Sequence, residues 1–298
     1  MGRAEFLAQR RKGIGGSDIA AVLGLSKWKT PYEVWEDKLG LSTPTPDNEA
    51  MLWGRELEPV IRQQYAERTG REVITPSKML AHKEHPFLIA NLDGFTTDNR
   101  IVEIKTARLA NEWGEPGTDE VPIAYLLQVQ HYMLVTGFEV ADIAVLISGS
   151  DYRQYEVKAD KELHSMLIDE ATQFWRCVET KTPPAPVSYA DAVSRYGKHS
   201  SAGEVTATAE IEEHVLSIKN IKERIKELEQ KEQEHRAEIM LALGEKDTLI
   251  DLEGNQLVTW RLAKPTVRFD AKAFEAAHPE LYKQFRKTGE ASRRFLVK

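Results

Sequence analysis

Residues 91–107 read Asn-Leu-Asp-Gly-Phe-Thr-Thr-Asp-Asn-Arg-Ile-Val-Glu-Ile-Lys-Thr-Ala, and no other stretch so narrows what the chain can fold into. Residues 101–106 alternate with a period of two, the pattern of a strand with distinct faces. Val102 and Ile104 share one face, and Glu103 and Lys105 share the other. Thr97, Asp98, Asn99 and Arg100 supply turn residues before it, and a first short strand ending near Leu92 completes a predicted β-hairpin. Asp93 stands ten positions before Glu103, so the hairpin brings the two carboxylates together. Two acidic side chains plus a lysine at one sheet edge suit a hard divalent cation holding a phosphate and a water. The carbonyl of Ile104 is within reach of the same ion. The competing reading is an exposed Glu–Lys strand face, because Glu-x-Lys alone is common.

Composition limits the alternatives. A chain of 298 residues with 41% hydrophobic content supports one large domain or two modest ones. The net charge of -7 means that contact with a polyanion must come from local basic groups, or from a metal that offsets the acidic site. The single Cys177 excludes a disulfide framework, a four-cysteine zinc site and a cysteine-ligated iron–sulfur cluster, and fits a reducing cytosol. No apolar run reaches membrane-spanning length and the N-terminus shows no signal-peptide core, so the expectation is a soluble, cytoplasmic protein with no membrane partner.

Residues 2–10 form a predicted helix ending in Arg10-Arg11-Lys12, followed by Gly13-Ile-Gly-Gly-Ser-Asp18. Ser17 is a predicted N-cap, which aims the next helix start at the Gly-rich turn. An anion such as a DNA phosphate suits that place, with Arg10 or Arg11 beside it. A plain capped turn with surface arginines is the competing reading, and the spacing is neither that of a P-loop nor of a dinucleotide fingerprint. Thr30-Pro31 opens a helix to Gly40, residues 41–48 read as a loop, and a long helix covers 49–69. Glu58 lies in it, just before Pro59, where a solvated helix glutamate is the plain alternative. Strands are predicted at 71–74, 78–81 and 88–92, and a flap-sized loop at 106–121. Pro122 starts a mostly apolar helix closed by Gly137, in which Tyr125 and Gln128 share a face. A glutamine in that setting needs a partner, from backbone or from a site. Strands at 141–148 and 153–157 and a helix at 161–179 complete a mixed α/β sheet flanked by helices.

Pro183-Pro-Ala-Pro186 breaks this pattern. Three parts follow: a core at 1–182, a linker or surface strap at 183–207, and an extension at 208–298. The extension begins with a helix at 208–243 carrying two heptad columns. One holds Ile211, Ile218, Ile225, Glu232 and Ile239, the other His214, Ile221, Leu228, His235 and Ala242. That narrow stripe suits a partner helix, and equally a helix packed on its own domain. A hairpin at 249–262 turns at Glu253-Gly254-Asn255, and Asp270 caps a short helix to Ala277. The tail pairs Lys283, Arg286, Lys287, Arg293, Arg294 and Lys298 with aromatics against one acid, Glu290, which suits nucleic acid or a solvated terminal face.

The opening Arg-Arg-Lys-Gly-Ile-Gly-Gly-Ser-Asp resembles that of the YqaJ-like viral recombinase family, which includes the phage lambda exonuclease. Trp53-Gly-Arg-Glu-Leu-Glu-Pro59, Leu92-Asp-Gly94, Glu103-Ile-Lys105 and Tyr125-Leu-Leu-Gln-Val-Gln130 follow in the family's order, over residues 1–180. The resemblance implies a PD-(D/E)xK nuclease core and Mg2+-dependent degradation of one strand of linear double-stranded DNA, 5′ to 3′ from a free end, for annealing-type recombination. Mn2+ is the expected substitute. By position, Asp93 and Glu103 resemble the metal ligands, Lys105 the catalytic lysine, Glu58 the acid that organises water or metal, and Gln128 the motif glutamine. Arg10, or adjacent Arg11, is similar to the phosphate-gripping arginine, with Ser17 on the phosphate and Tyr125 a further DNA contact. The resemblance also implies a homo-oligomer, a trimer in the lambda relative, a single-strand annealing partner, and the cytoplasm of a bacterial host. Leu92 stands where the superfamily has its proline, and residues 80–86 offer no counterpart for a further upstream aspartate. The competing functions are a structure-specific or nicking endonuclease of the same fold, and a non-catalytic DNA-binding or assembly module.

Overall fold

The computed structural model describes residues 3–42, 47–198, 203–287, 289 and 291–298. Gly2 of the predicted first helix, residues 43–46 of the predicted loop, residues 199–202 and Glu290 of the tail lie outside the described residues. The chain forms two compact units, Met1–Arg195 and Tyr196–Lys298.

The first unit starts with α1 (Arg3–Arg10), β1 (Ile14–Gly15), α2 (Gly16–Val22), α3 (Pro31–Lys38) and α4 (Glu49–Thr69). Strands β2 (Val73–Ile74), β3 (Leu80–Ala81), β4 (Leu88–Ala90), β5 (Gly94–Thr96) and β6 (Arg100–Ala107) follow. Then come α5 (Ile123–Thr136), β7 (Val140–Ile147), β8 (Asp151–Lys158), α6 (Lys161–Glu179) and α7 (Tyr189–Tyr196). A five-stranded sheet has the order β2-β5-β6-β7-β8, with β6 and β7 parallel and the other pairs antiparallel. The Arg100 guanidinium donates to both Asp142 oxygens, at 2.9 and 2.7 Å, and so pins the start of β6 to β7.

Helices cover both sheet faces. Val102 and Ile104 pack with Ile61 and Tyr65 of α4. Ile101 belongs to the larger core, with Leu127, Val129 and Met133 of α5 and Leu167 and Phe174 of α6. The period-two alternation therefore turns Glu103 and Lys105 toward α5, as the sequence pattern implies. It does not leave them in solvent, since Glu103 is only 1% exposed.

The hairpin differs from expectation in its first strand. Its partner for β6 is β5, not the 88–92 segment. β4 is buried throughout and belongs to a separate three-stranded sheet, parallel to β1 and antiparallel to β3. Its three apolar residues gain two strand neighbours there. Gly94 permits β5 to lie against β2, where a Cβ would come within 2.5 Å of Val73. Ser17 is also not the cap of α2. Gly15 is, and Asp18 accepts from the Gly15 amide at 3.2 Å. Helix α7 falls within the stretch read as linker or strap. Its buried Asp191 accepts from Thr30 Oγ1 at 2.7 Å, and Ser194 Oγ donates to Glu36 at 2.8 Å, which ties α7 to α3.

The second unit contains α8 (Ala209–Leu243), β9 (Thr248–Ile250), β10 (Gln256–Thr259), α9 (Ala271–Ala277) and α10 (Pro279–Phe285). Thr208 caps α8, Asp270 caps α9, and the hairpin forms where its turn residues place it. In α8 only Leu243 is buried; Ile211, Ile221, Ile225 and Leu228 of the heptad columns are exposed. Helix α10 is an element the tail's basic composition did not announce.

Candidate active site

One cleft of about 410 Å3 gathers Arg10, Ser17, Glu58, Asp93, Glu103, Ile104, Lys105 and Gln128. Six separate segments supply them, all in the first unit. Two predicted residues stand outside. The Arg11 guanidinium turns toward Asp37, at 3.9 Å, and Tyr125 lies behind Lys105, its ring centroid 4.8 Å from Nζ. Of the two adjacent arginines, Arg10 is therefore the one that lines the cleft.

Glu103 is the centre of one wall. Its Oε1 accepts from Lys105 Nζ at 2.5 Å and from Gln128 Nε2 at 2.7 Å. Gln128 also accepts from Lys105 at 3.1 Å and donates to the Tyr132 hydroxyl at 3.0 Å, so the glutamine that needed a partner has three. Glu103 Oε2 is buried and has no partner among the described residues. A charged oxygen in that position is costly until something satisfies it. Burial, reinforced by the Asp93 charge, pushes the Glu103 carboxyl up to about 8 against the pull of Lys105.

Asp93 immediately precedes β5 and accepts from the Ile104 amide at 2.9 Å, a bond that ties the hairpin's entry to the middle of β6. Burial raises its pKa despite Lys105 and that amide. Glu58, on α4, forms an ion pair with Arg62, yet burial and the nearby Asp93 raise it as well. Burial lowers the pKa of Lys105, but Glu103 and Asp93 outweigh it, so the ammonium is stabilised. Three acids that all resist ionisation mark a wall short of positive charge.

The Arg10 and Ser17 wall of the same cleft is balanced the other way. Asp18 accepts from Arg10 Nη2 and from Lys38 Nζ, each at 2.6 Å. Burial alone would raise its pKa, but Lys38 and Arg10 hold it well below the usual carboxylate range. Arg10 Nη2 also donates to Ser17 Oγ at 3.1 Å, and Lys38 to the Arg10 carbonyl at 3.0 Å. The walls meet where Gly16 abuts the Tyr132 ring, at which a Cβ would come within 2.4 Å of Cε1. The glycines thus serve close packing within the protein itself.

Asp18, Lys38 and Tyr132 did not emerge from the sequence reading. Asp18 occupies the third helical position after a glycine cap, a usable signal for a carboxylate turned back on the turn. Lys38 lies twenty positions away, and nothing local joins it to Asp18.

Among the described residues no group of three His, Cys, Asp or Glu side chains is clustered as a metal cage. The donors are instead two carboxylates, one with an unpartnered oxygen. That set does not fit structural zinc, but it fits magnesium, which takes one or two carboxylates and fills its sphere with water and phosphate.

The mixed sheet, its flanking helices and the Asp-x9-Glu-x-Lys disposition define a fold of the PD-(D/E)xK nuclease type. The profile of the YqaJ-like viral recombinase domain matches residues 5–139. The uncharacterized protein YqaJ of Bacillus subtilis (strain 168) is 34% identical over 311 residues, which cover 100% of this chain and 95% of that protein. The chain belongs to the YqaJ-like viral recombinase family. An alkaline exonuclease from Laribacter hongkongensis has a similar fold, with a TM-score of 0.51 and 24% identity over 60% of this chain and 93% of its own. The same enzyme in complex with dAMP matches with a TM-score of 0.50 and 25% identity, over the same shares of the two chains. No helix of the described residues is long and apolar enough to cross a membrane.

Proposed function

We propose that this chain is a Mg2+-dependent deoxyribonuclease that degrades one strand of linear double-stranded DNA from its free 5′ end. The observation that carries this reading is Glu103, a buried carboxylate with one oxygen fixed by Lys105 and Gln128 and the other without a partner. Family membership and the likeness to an alkaline exonuclease, one form of which holds dAMP, support it.

Asp93 and Glu103, with the Ile104 carbonyl, would hold Mg2+, for which Mn2+ would substitute. When bound, the ion supplies Lewis-acid polarisation of the phosphate and lowers the pKa of water. Gln128 and Lys105 keep Glu103 in one orientation, so the side chain needs no reorganisation when ligand arrives. Lys105 Nζ, with a third N–H to offer, stabilises charge on the pentacovalent phosphate. Glu58, steadied by Arg62, orients water at the site. Water adds to phosphorus in line, the P–O3′ bond breaks, O3′ takes a proton, and a 5′-phosphate remains. Arg10 and Ser17 grip phosphate from the opposite wall, and Asp18 acts through Arg10 as a positioning residue.

The product strand suits annealing-type recombination with a single-strand annealing protein, and a homo-oligomer, a trimer by family resemblance, encloses the duplex. The test is purified full chain with Mg2+ on linear duplex labelled at the 5′ or 3′ end, beside a closed circle. Early release of the 5′ label as mononucleotide, with circles intact, is the expected result. Nicked circles, or no Mg2+-dependent product, would overturn the proposal.

A further inference from the structure

Beside the cleft the chain builds an aromatic ladder for which the hydrolytic step has no use. Trp28 stacks on Tyr125 with centroids 6.3 Å apart and planes at 24°. Tyr125 packs on Trp113 at 5.6 Å, and Trp113 on Tyr155 at 5.2 Å. The inner end is anchored, since Trp113 and Tyr155 are buried and the Tyr155 hydroxyl donates to the Gly114 carbonyl at 2.8 Å. The outer end is open, with Trp28 67% exposed.

The exposed indole is held in place. Ser26 Oγ accepts from the backbone amides of Trp28 and Lys29, at 3.1 and 3.3 Å, which fixes the turn. Lys27 forms an ion pair with Glu112, next to Trp113, which ties that turn to the 108–121 loop. One face of the indole is occupied by Tyr125, and the ring is flanked in sequence by Lys27 and Lys29. Tyr125 in turn lies under Lys105, whose Nζ is 4.8 Å from its ring centroid. A fixed, exposed, flat ring, flanked in sequence by two lysines that pair with Glu112 and Asp37 and one ring away from the lysine of the cleft, matches the stacking platforms of single-strand binding sites.

We propose that Trp28, backed by Tyr125, stacks one unpaired nucleobase of the DNA strand that occupies the cleft. This rests on the nuclease reading above. Stacking requires a π-face and tolerates any base, so the platform favours grip on the strand without selecting sequence. Trp28 is a binding residue; it touches no reacting atom.

The test uses the full chain in EDTA, where no hydrolysis occurs, and a fluorescent thymidine oligonucleotide of about 12 nucleotides, within the usual site sizes. Anisotropy gives Kd for the wild type and for Trp28→Ala, Trp28→Leu and Trp28→Phe, each checked for wild-type circular dichroism and mass in solution. Trp28→Ala and Trp28→Leu are expected to bind about tenfold more weakly, and Trp28→Phe within about threefold of wild type, in line with the worth of one base–aromatic stack. A single abasic site moved along the oligonucleotide should weaken wild-type binding about tenfold at one position and leave Trp28→Ala indifferent there. Equal binding by Trp28→Ala, or by Trp28→Leu and Trp28→Phe, would overturn the proposal, as would a position dependence that survives in Trp28→Ala. A fall in mass for Trp28→Ala would assign the ring to contact between copies and overturn it too. If the wild type hydrolyses duplex DNA with Mg2+ yet any of these outcomes is found, only the stacking proposal fails. If it neither binds nor hydrolyses DNA, the nuclease reading fails with it.

Discussion

Asp18, paired with the Arg10 that lines the first unit's cleft, and Glu103, which lines the cleft itself, are each 1% exposed. Asp18 has two cations of its own, Arg10 and Lys38, and its pKa falls. Glu103 shares a single lysine with a second acid, Asp93, and its pKa rises to about 8. Burial is the same, so the difference lies in the partners. One wall is satisfied within the protein and carries surplus positive charge toward the cleft. The other is left short of it. A phosphate bridging to a divalent cation would complete both, so the Arg10 wall adds to what Glu103 contributes to the phosphodiester reading.

The sharpest way to break this comparison is to replace the acid of each wall by its amide. Glu103→Gln should lower Mg2+-dependent hydrolysis by about 1000-fold, the scale of losing a preorganised transition-state contact, while leaving the melting temperature unchanged or higher. Turnover on linear duplex and a thermal melt without divalent ion read both. Asp18→Asn should behave in reverse. It leaves the buried Lys38 and the partly exposed Arg10 without their counter-charge and costs about 3 kcal/mol of stability, visible as a lower midpoint in urea. If both substitutions destabilise equally, the distinction between the walls is wrong.

Acidity separates the walls with opposite signs. The folded Glu103 carboxyl keeps its proton up to about 8, whereas the ordinary value is 4.5. Without metal, its contribution to stability is therefore present below 4.5 and lost as pH rises toward 8. Mg2+ must displace that proton, so its affinity should rise by up to about tenfold per pH unit across the window and then level off. Asp18 is depressed below its ordinary 3.8, so its contribution is present above that value and lost as pH falls below it. Thermal melts at a series of pH values, with and without Mg2+, check both signs. The smallest expected effect is at the seam between the walls. Gly16→Ala drives a methyl into the Tyr132 ring and should cost about 1–3 kcal/mol by urea unfolding, with Mg2+ affinity per folded molecule retained.

The same contrast explains what was legible in the sequence. Glu103, Lys105 and their face were readable because a strand's period of two is local. Gln128 was readable because a polar residue in an apolar helix demands a partner. Asp93 was placed correctly beside Glu103, but on the wrong strand boundary, because β4 finds its neighbours in β1 and β3 and not in the hairpin. Asp18 and Lys38 were invisible for the same reason, their pairing being set by the packing of α2 near α3. The helix face of Tyr125 is readable from its spacing, but its place under Lys105 is set by how α5 packs on β6, and its contact with Trp28 by a loop that carries no periodic signal. The heptad columns of α8 were legible as a pattern, and Ile211, Ile221, Ile225 and Leu228 of them are exposed while Ile218 and Ile239 are half-buried, in contrast to the first unit's filled helix faces.

Calorimetric titration of Mg2+ into the metal-free full chain at pH 8, beside Glu103→Gln, tests the central claim most directly. Saturable binding to the wild type, with the Glu103→Gln isotherm weakened at least about tenfold, is the expected result. Equal binding by the two proteins, or none by the wild type, would contradict it.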